Sequence, residues 1–359
     1  MKGFYRYWRK SSRFFLIDLV LAFFSFVFLF IYWLRVIFYK YGMIRKKSLD
    51  ARVISVGNLT LGGSGKTPMV LYLASEFEKK GKKSVILTRG YKRKGKGQKE
   101  LYGYPNNLSW ECYGDEPSLL ASNLSEVPVM IDKKRFEAAK FAYKKYQPDL
   151  FILDDGFQHW SLKRDVDLVM VDSTRPLSEE KLFPLGRLRE PLSTFKRADM
   201  AVLNQKEESE SLKDTQDVIL KNNPSCFVAQ SSYEVSEVVD LTEDRLVESS
   251  SLRGKKTVAF SGIADNFSFE KMLRNLGMVV LSHIEFPDHH IYTEKDMWDI
   301  QVEGKKKGTE ILCTTEKDRI RIPKTSDFQL PVYVVKIRLR IKEKEKEFWD
   351  FIEAKLGWR

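Results

Sequence analysis

The sequence predicts an α/β fold. The expected architecture is a phosphate-loop NTPase core with a mainly parallel sheet, a second and smaller α/β lobe, and an apolar N-terminal membrane-anchor helix. Three observations lead there. Short apolar runs bounded by turn residues alternate with helix-like stretches, the pattern of strands joined by crossover helices. One such run, "VISV" (53–56), enters a glycine-rich turn followed by Lys-Thr-Pro. Residues 14–34 form an apolar segment interrupted by one charge, Asp18.

The β-favouring runs fall at 53–56, 84–88, 127–131, 150–154, 167–171 and 199–203, with helical patterns at 68–80 and 134–146. A second set follows at 257–262, 277–286, 310–315 and 332–337. Between them, residues 207–250 are polar and charge-rich with weak periodicity. The expected division is therefore an anchor over 1–48, a phosphate-loop core over 49–206, a linker over 207–250, and a second α/β lobe over 251–359. A chain of 359 residues suits about two domains. No internal repeat is visible. Cys112, Cys226 and Cys313 have neither close pairing nor metal-ligand spacing, the usage of a reducing compartment.

The segment 14–34 is about long enough to cross a bilayer core as a helix. It is too long for the apolar region of a signal peptide, and no small-residue cleavage site follows; a buried core helix is the other reading. Lys2, Arg6, Arg9, Lys10 and Arg13 precede it, and Arg35, Lys40, Arg45, Lys46 and Lys47 follow. Basic residues favour the cytoplasmic side, so flanks that are both basic suit a segment lying in the interface or dipping in and returning. Trp8, Tyr32 and Trp33 would then sit near the headgroups. The segment is expected to be dispensable for the fold. The formal charge of +12 suits an anionic partner, and beside this anchor it points to membrane lipid rather than nucleic acid.

The loop "GNLTLGGSGKTP" (57–68) is one glycine short of the common G-x-x-x-x-G-K-[ST] spacing, because Thr60 stands where the first glycine belongs. Its strand–turn–helix context still supports a phosphate site. Thr60, Leu61, Gly62, Gly63, Ser64, Gly65, Lys66 and Thr67 would line it. Gly62, Gly63 and Gly65 can aim backbone N–H groups at one anion. Lys66 would reach the β- and γ-phosphates, and the Thr67 hydroxyl would ligate Mg²⁺. Pro68 suits the first helical turn, whose positive end adds to the site. In "LFILDDGFQHW" (150–160) a buried strand ends in Asp154, the place of the carboxylate that faces Mg²⁺ in phosphate-loop enzymes. Asp155 and Gln158 follow as further candidate Mg²⁺ ligands, and His159, within reach of the same edge, as a candidate substrate contact.

Together with "TRGY" (88–91), "GDEP" (114–117), "LREP" (188–191) and "FPDHHIY" (286–292), these blocks resemble the tetraacyldisaccharide 4'-kinase family, in matching order from the apolar N-terminus to "TTEKD" (314–318). The family loop likewise lacks the first glycine. The resemblance implies ATP and Mg²⁺ as cofactors and a lipid A precursor, an acylated glucosamine disaccharide 1-phosphate, as acceptor. It also implies contact with inner-membrane lipids and a place on the cytoplasmic face of the bacterial inner membrane. It makes Asp115 the catalytic base, against the alternative of a helix cap, and pairs it with one histidine of "DHH". His289 is preferred, with His290 facing substrate, although the motif does not choose between them and a structural pair is the alternative. Arg189 resembles the arginine that meets the transferring phosphoryl group, with Glu190 expected to orient it and to line the substrate site. Arg135 is expected to face phosphate or substrate, or simply solvent. The basic run 89–99 would touch anionic headgroups or the substrate 1-phosphate, or remain a solvated loop.

Two other classes meet obstacles. A GTPase switch needs a guanine-reading Asn-Lys-x-Asp, and "LNQKEE" (203–208) does not supply it. A nucleic-acid-dependent ATPase would explain the charge, but not the apolar segment, and no recognition motif is present.

Overall fold

A computed structural model describes residues 15–91, 93–103, 110–204 and 210–358. Lys2, Arg6, Trp8, Arg9, Lys10, Arg13 and Phe14 of the expected anchor, Lys92 of the basic run, and residues 205–208 of "LNQKEE" lie outside the described residues. The chain divides into two compact units. The first comprises Met1–Arg89, Lys133–Ser232 and Ile341–Arg359, and the second Gly90–Asp132 and Tyr233–Arg340.

In the first unit, parallel strands run in the order Ser84–Thr88, Leu150–Asp154, Arg52–Asn58, Val166–Asp172, Met200–Asn204 and then Phe227–Ser232, the first part of the long strand Phe227–Asp240. Their near-continuous burial is that of a sheet covered on both faces. Arg52–Asn58 is central, and its register sets Val56 opposite Asp154. The helix Lys66–Lys79 follows the glycine turn and buries Met69, Val70, Leu73, Ala74 and Phe77, one face of a 3.6-residue period. The last helix, Glu345–Leu356, belongs to this unit. Trp349 Nε1 donates to Tyr72 Oη at 3.0 Å, and its ring meets Phe77 edge-on at 5.3 Å.

The second unit has its own parallel strands, in the order Val279–Glu285, Lys256–Ser261, Ile311–Thr315 and Val332–Ile341. The helices Asn266–Asn275 and Glu294–Lys307 cover them, burying Phe269, Leu273, Met297 and Ile300. It also holds the helix Asp115–Asn123 and the antiparallel pair Lys99–Leu101 with Val129–Ile131.

This division differs from the expected boundaries. Residues 90–132 leave the core and join the second unit, and 341–359 return to the first. A reading that assigns contiguous stretches to lobes cannot register such an insertion and return. The stretch expected as a linker contains the helix Glu210–Asn222 and the strand Phe227–Asp240. The helix buries only Leu212, Thr215 and Ile219, correctly spaced for one face but thinly apolar among charged neighbours.

Near the N-terminus, the apolar helix Phe15–Lys40 runs past the expected end at residue 34. Within Ile17–Lys40 an 18-residue window reaches a mean hydropathy of 2.3, and the segment is long and apolar enough to cross a membrane. Leu19, Val20, Phe23, Phe24, Phe26, Phe30 and Trp33 are exposed. The opposite side docks on the first unit. Ser25 Oγ donates to the Leu182 carbonyl at 3.1 Å, Tyr32 Oη meets Thr194 Oγ1 at 3.0 Å, and Arg35 Nη2 donates to the Gln158 carbonyl at 2.7 Å. Tyr32, expected near headgroups, is instead turned to Thr194 and the Trp160 ring.

Candidate active site

The phosphate-loop segment leaves the central strand at Asn58 and is pinned before it turns. Thr60 forms an antiparallel bridge with Leu188, Asn58 Nδ2 donates to the Thr60 carbonyl at 2.7 Å, and Leu61 N donates to the Arg187 carbonyl at 2.8 Å. Position 60 therefore needs no glycine. The left-handed backbone comes later, at Gly62 (φ 118°) and at Gly65 (φ 89°), the latter capping the helix that starts at Lys66. Gly62 and Gly63 are exposed, while Ser64 is buried with its Oγ unpartnered and Thr67 is buried in the first helical turn. A second close approach is structural: a Cβ at Gly57 would collide with Phe157, so only glycine lets the "DGFQH" turn lie on the central strand.

Asp154 and Asp155 differ sharply although adjacent. Asp154 is buried at the end of its strand, where Thr88 Oγ1 donates to it at 2.9 Å. Burial, and then the neighbouring Asp155 charge, push its carboxyl up. Asp155 has a left-handed backbone (φ 49°). Its Oδ1 lies 3.7 Å from Lys66 Nζ, and Arg189 grips it with two bonds, Nη1 to Oδ1 at 2.8 Å and Nη2 to Oδ2 at 3.2 Å. Burial opposes ionisation of Asp155, but Lys66 and Arg189 outweigh it and hold the carboxyl at about 2. Arg189 Nη1 also donates to Asn58 Oδ1 at 3.0 Å. The motifs "GKT", "DD" and "LREP" thus meet in one ionic cluster, with Asn58 and Thr88 as members the sequence reading did not name. Both sit at strand ends within the quoted blocks 57–68 and 88–91, which is the signal that could have found them.

Three expectations need correction. Glu190 does not orient Arg189: both terminal Arg197 guanidinium nitrogens, Nη1 and Nη2, donate to Glu190 Oε2, at 2.8 and 2.7 Å. Next to the Leu188 bridge, successive side chains face opposite ways, so Arg189 reaches Asp155 while Glu190 points inward. Burial pushes Glu190 up to about 7 in spite of Arg197. Arg135 does not face solvent. It is buried, and its Nη2 donates to the Asp154 carbonyl at 2.7 Å. Gln158 holds the turn, its Nε2 donating to the Asn58 carbonyl at 2.9 Å, while its Oε1 is buried without a partner. Beside these residues, Phe28, Ile31 and Tyr32 of the N-terminal helix line a cavity of about 330 Å³ together with Arg35, Arg189 and Glu190.

His159 lies at the other end of the turn, its Nε2 3.1 Å from Ser161 Oγ. Burial, then Arg135, Arg164, Arg35 and Arg89, lower the imidazole to about 4. The unfolded chain takes up this proton near pH 6.5 and the folded chain only near 4, so folded stability falls as the pH drops through that window. His159→Gln should shrink the difference between urea midpoints at pH 7 and pH 5. An unchanged difference would mean that His159 is not held neutral.

The second unit brings Asp115 and His289 together. Gly114 (φ 100°) is the cap of the helix Asp115–Asn123, and Asp115 is its first residue, making no capping bond. One carboxylate oxygen accepts from Glu116 N at 3.0 Å, and the other is hydrogen-bonded to His289 Nδ1. Burial alone would raise Asp115, but the His289 bond and charge, aided by Arg321, bring it below the ordinary range. The same bond raises His289, whose backbone is left-handed (φ 62°). His290 goes elsewhere. It pairs with Asp296 at 3.2 Å and stacks on Phe286 at 4.5 Å. In the basic run, Lys94 pairs with Glu111 at 2.9 Å and Arg93 donates to the Gly97 carbonyl.

Residues 17–357 match the family described as Tetraacyldisaccharide-1-P 4'-kinase. The chain belongs to this tetraacyldisaccharide 4'-kinase family. It is similar to the tetraacyldisaccharide 4'-kinase of Halothermothrix orenii, with 34% identity over 328 residues, covering 86% of this chain and 85% of that one. The Aquifex aeolicus tetraacyldisaccharide 4'-kinase is 37% identical over 310 residues, covering 86% and 90%. The crystal structure of the Aquifex aeolicus protein in complex with ATP superposes with a TM-score of 0.74 at 33% identity, covering 95% of this chain and 99% of that chain. As a member of the tetraacyldisaccharide 4'-kinase family, the chain is a phosphotransferase with an alcohol acceptor.

Proposed function

We propose that the chain transfers the γ-phosphoryl group of ATP to the 4'-hydroxyl of a tetraacylated glucosamine disaccharide 1-phosphate, giving the lipid IVA intermediate of lipid A biosynthesis. The observation that carries this reading is the cluster of Lys66, Asp155 and Arg189 at the head of the phosphate-loop helix, in a chain of this kinase family.

In this reading the loop 60–67 holds the phosphates, and Lys66 and Arg189 stabilise the charge that spreads over the transferring group's oxygens. Asp115 accepts the proton of the attacking 4'-hydroxyl, and His289 shares that proton through its Nδ1 bond. A new P–O bond forms to the sugar as the bond to ADP breaks. Arg135 and Gln158 support Asp154 and the turn beside it. Thr67, Asp154 and Asp155 present only oxygen donors, and Asp154 carries a desolvated carboxyl beside a like charge. That suits Mg²⁺, which binds through one or two carboxylates and substrate phosphates. Among the described residues no cluster of three or more His, Cys, Asp or Glu could hold a metal. Bound there, Mg²⁺ would neutralise phosphate charge.

The exposed apolar side of Phe15–Lys40 supports association with inner-membrane lipids, with the catalytic residues on the cytoplasmic face where ATP is supplied. Radiolabelled ATP and Mg²⁺ added to membrane vesicles carrying the protein and the disaccharide lipid test both points. Label should enter the lipid in inverted vesicles and not in sealed right-side-out ones. No lipid label in either preparation, with folded protein, would refute the kinase reading. Label only in right-side-out vesicles would reverse the orientation.

A further inference from the structure

We propose that Asp318 and Arg321 form a positioning unit that fixes His289 against Asp115. The inference rests on the reading of that pair as the base, and both residues lie outside the pair itself.

The sequence "TTEKDRIR" (314–321) folds into a short turn of helix in which Thr315 and Asp318 cap one another, with Thr315 Oγ1 2.6 Å from Asp318 Oδ2 and Asp318 N donating back at 3.2 Å. Asp318 is completely buried, and its Oδ1 accepts three bonds: from Gly262 N at 3.0 Å, Tyr292 Oη at 3.0 Å and Arg321 Nη2 at 2.9 Å. Arg321 is also buried. Its Nη2 reaches the Gly262 carbonyl at 3.3 Å, and that carbonyl accepts His289 N at 3.0 Å. The peptide groups flanking Gly262 are therefore held by Asp318 on the N–H side and by Arg321 on the carbonyl side, and His289 hangs from that carbonyl. Space is tight there: a Cβ at Gly262 would stand 3.0 Å from His290 Cβ and 3.3 Å from Asp318 Oδ1.

Two physical considerations give this arrangement a role beyond stability. A buried ion pair is commonly no more stabilising than a hydrophobic replacement of similar size. A left-handed non-glycine residue such as His289 persists only where its surroundings over-determine it, and Gly262 with its two clamps supplies that constraint. The guanidinium also acts at a distance. Its positive charge favours the ionised Asp115 and opposes the imidazolium of His289, which keeps the pair free of the proton it is to receive. Asp288, 3.7 Å from His289 Nε2, acts on His289 in the opposite sense. Asp296 is engaged with His290 and Thr293.

The test is the pH profile of kcat/KM, with kcat, KM and ATP affinity, for Arg321→Met, Arg321→Lys and Tyr292→Phe beside Asp115→Ala. Arg321→Met should lower kcat about tenfold or more with unchanged ATP affinity. Loss of the positive charge raises the proton affinity of both members of the pair, so the acidic limb should move up by roughly half a unit to one unit. Arg321→Lys keeps the charge and should leave the limb in place while restoring part of kcat. Tyr292→Phe removes one of the donors to Asp318 without changing the ring, and should cost a few-fold in kcat. Folded Arg321→Met protein with wild-type kcat and an unmoved limb would overturn the inference. If Arg321→Met does not fold, wild-type kcat in both Arg321→Lys and Tyr292→Phe would overturn it. Full activity in Asp115→Ala would instead overturn the base assignment, so the two failures are distinguishable.

Discussion

Lys66→Ala is expected to lower phosphoryl transfer by roughly 10³-fold or more, since positioning and charge stabilisation are almost all that such enzymes contribute. Lys66 lies 3.7 Å from Asp155 Oδ1, and Asp155 is also held by both terminal nitrogens of Arg189. Removing the lysine withdraws one of three cations, with Arg189 and Arg135, that keep Asp155 near 2, so the carboxyl should titrate higher as well. The fold should survive, because the helix Lys66–Lys79 is anchored by Met69, Val70, Leu73, Ala74 and Phe77. Single-turnover transfer from labelled ATP, with thermal melting as a control, measures both effects. A folded Lys66→Ala protein retaining even a tenth of wild-type turnover would show that the loop does not hold the phosphates.

The next largest effect belongs to the pair in the second unit. Asp115→Ala and His289→Ala should each cost roughly 10²- to 10⁴-fold in kcat while ATP affinity stays close to wild type. Because one hydrogen bond joins them, the double variant should be little worse than the worse single, as for catalytic groups acting as one unit. His290→Ala should do far less to turnover, since its ring is engaged with Asp296 and Phe286. Multiplying losses in the double variant would mean that Asp115 and His289 act separately.

The strands were legible because they are buried on both faces and read as continuous apolar runs. "VISV" became Arg52–Asn58, "LFILD" became Leu150–Asp154, and "EILCTT" became Ile311–Thr315. Motifs at strand ends were legible too, since parallel strands converge their C-terminal ends on one edge. Contacts made by polar side chains across long sequence distances were not. That Glu190 would turn to Arg197, or Arg189 to Asp155, depends on the Thr60–Leu188 bridge, which leaves no periodic signal. The choice between His289 and His290 was open for the same reason. Adjacent residues differ by which way one left-handed backbone unit turns them, and no composition or spacing records that.

The left-handed backbones of Asp155 and His289 also change how substitutions there should be compared. At ordinary backbone angles alanine is the neutral replacement and glycine the disruptive one; at these two positions the ranking inverts. An alanine removes the functional group and also resists the local geometry, by about 1 kcal/mol or more. A glycine removes the group alone. At Asp115, on the first turn of a helix, the ordinary ranking holds and glycine is the costlier change. Melting temperatures of Ala and Gly variants at 155 and 289 therefore separate what the side chains do chemically from what it takes to hold them in place.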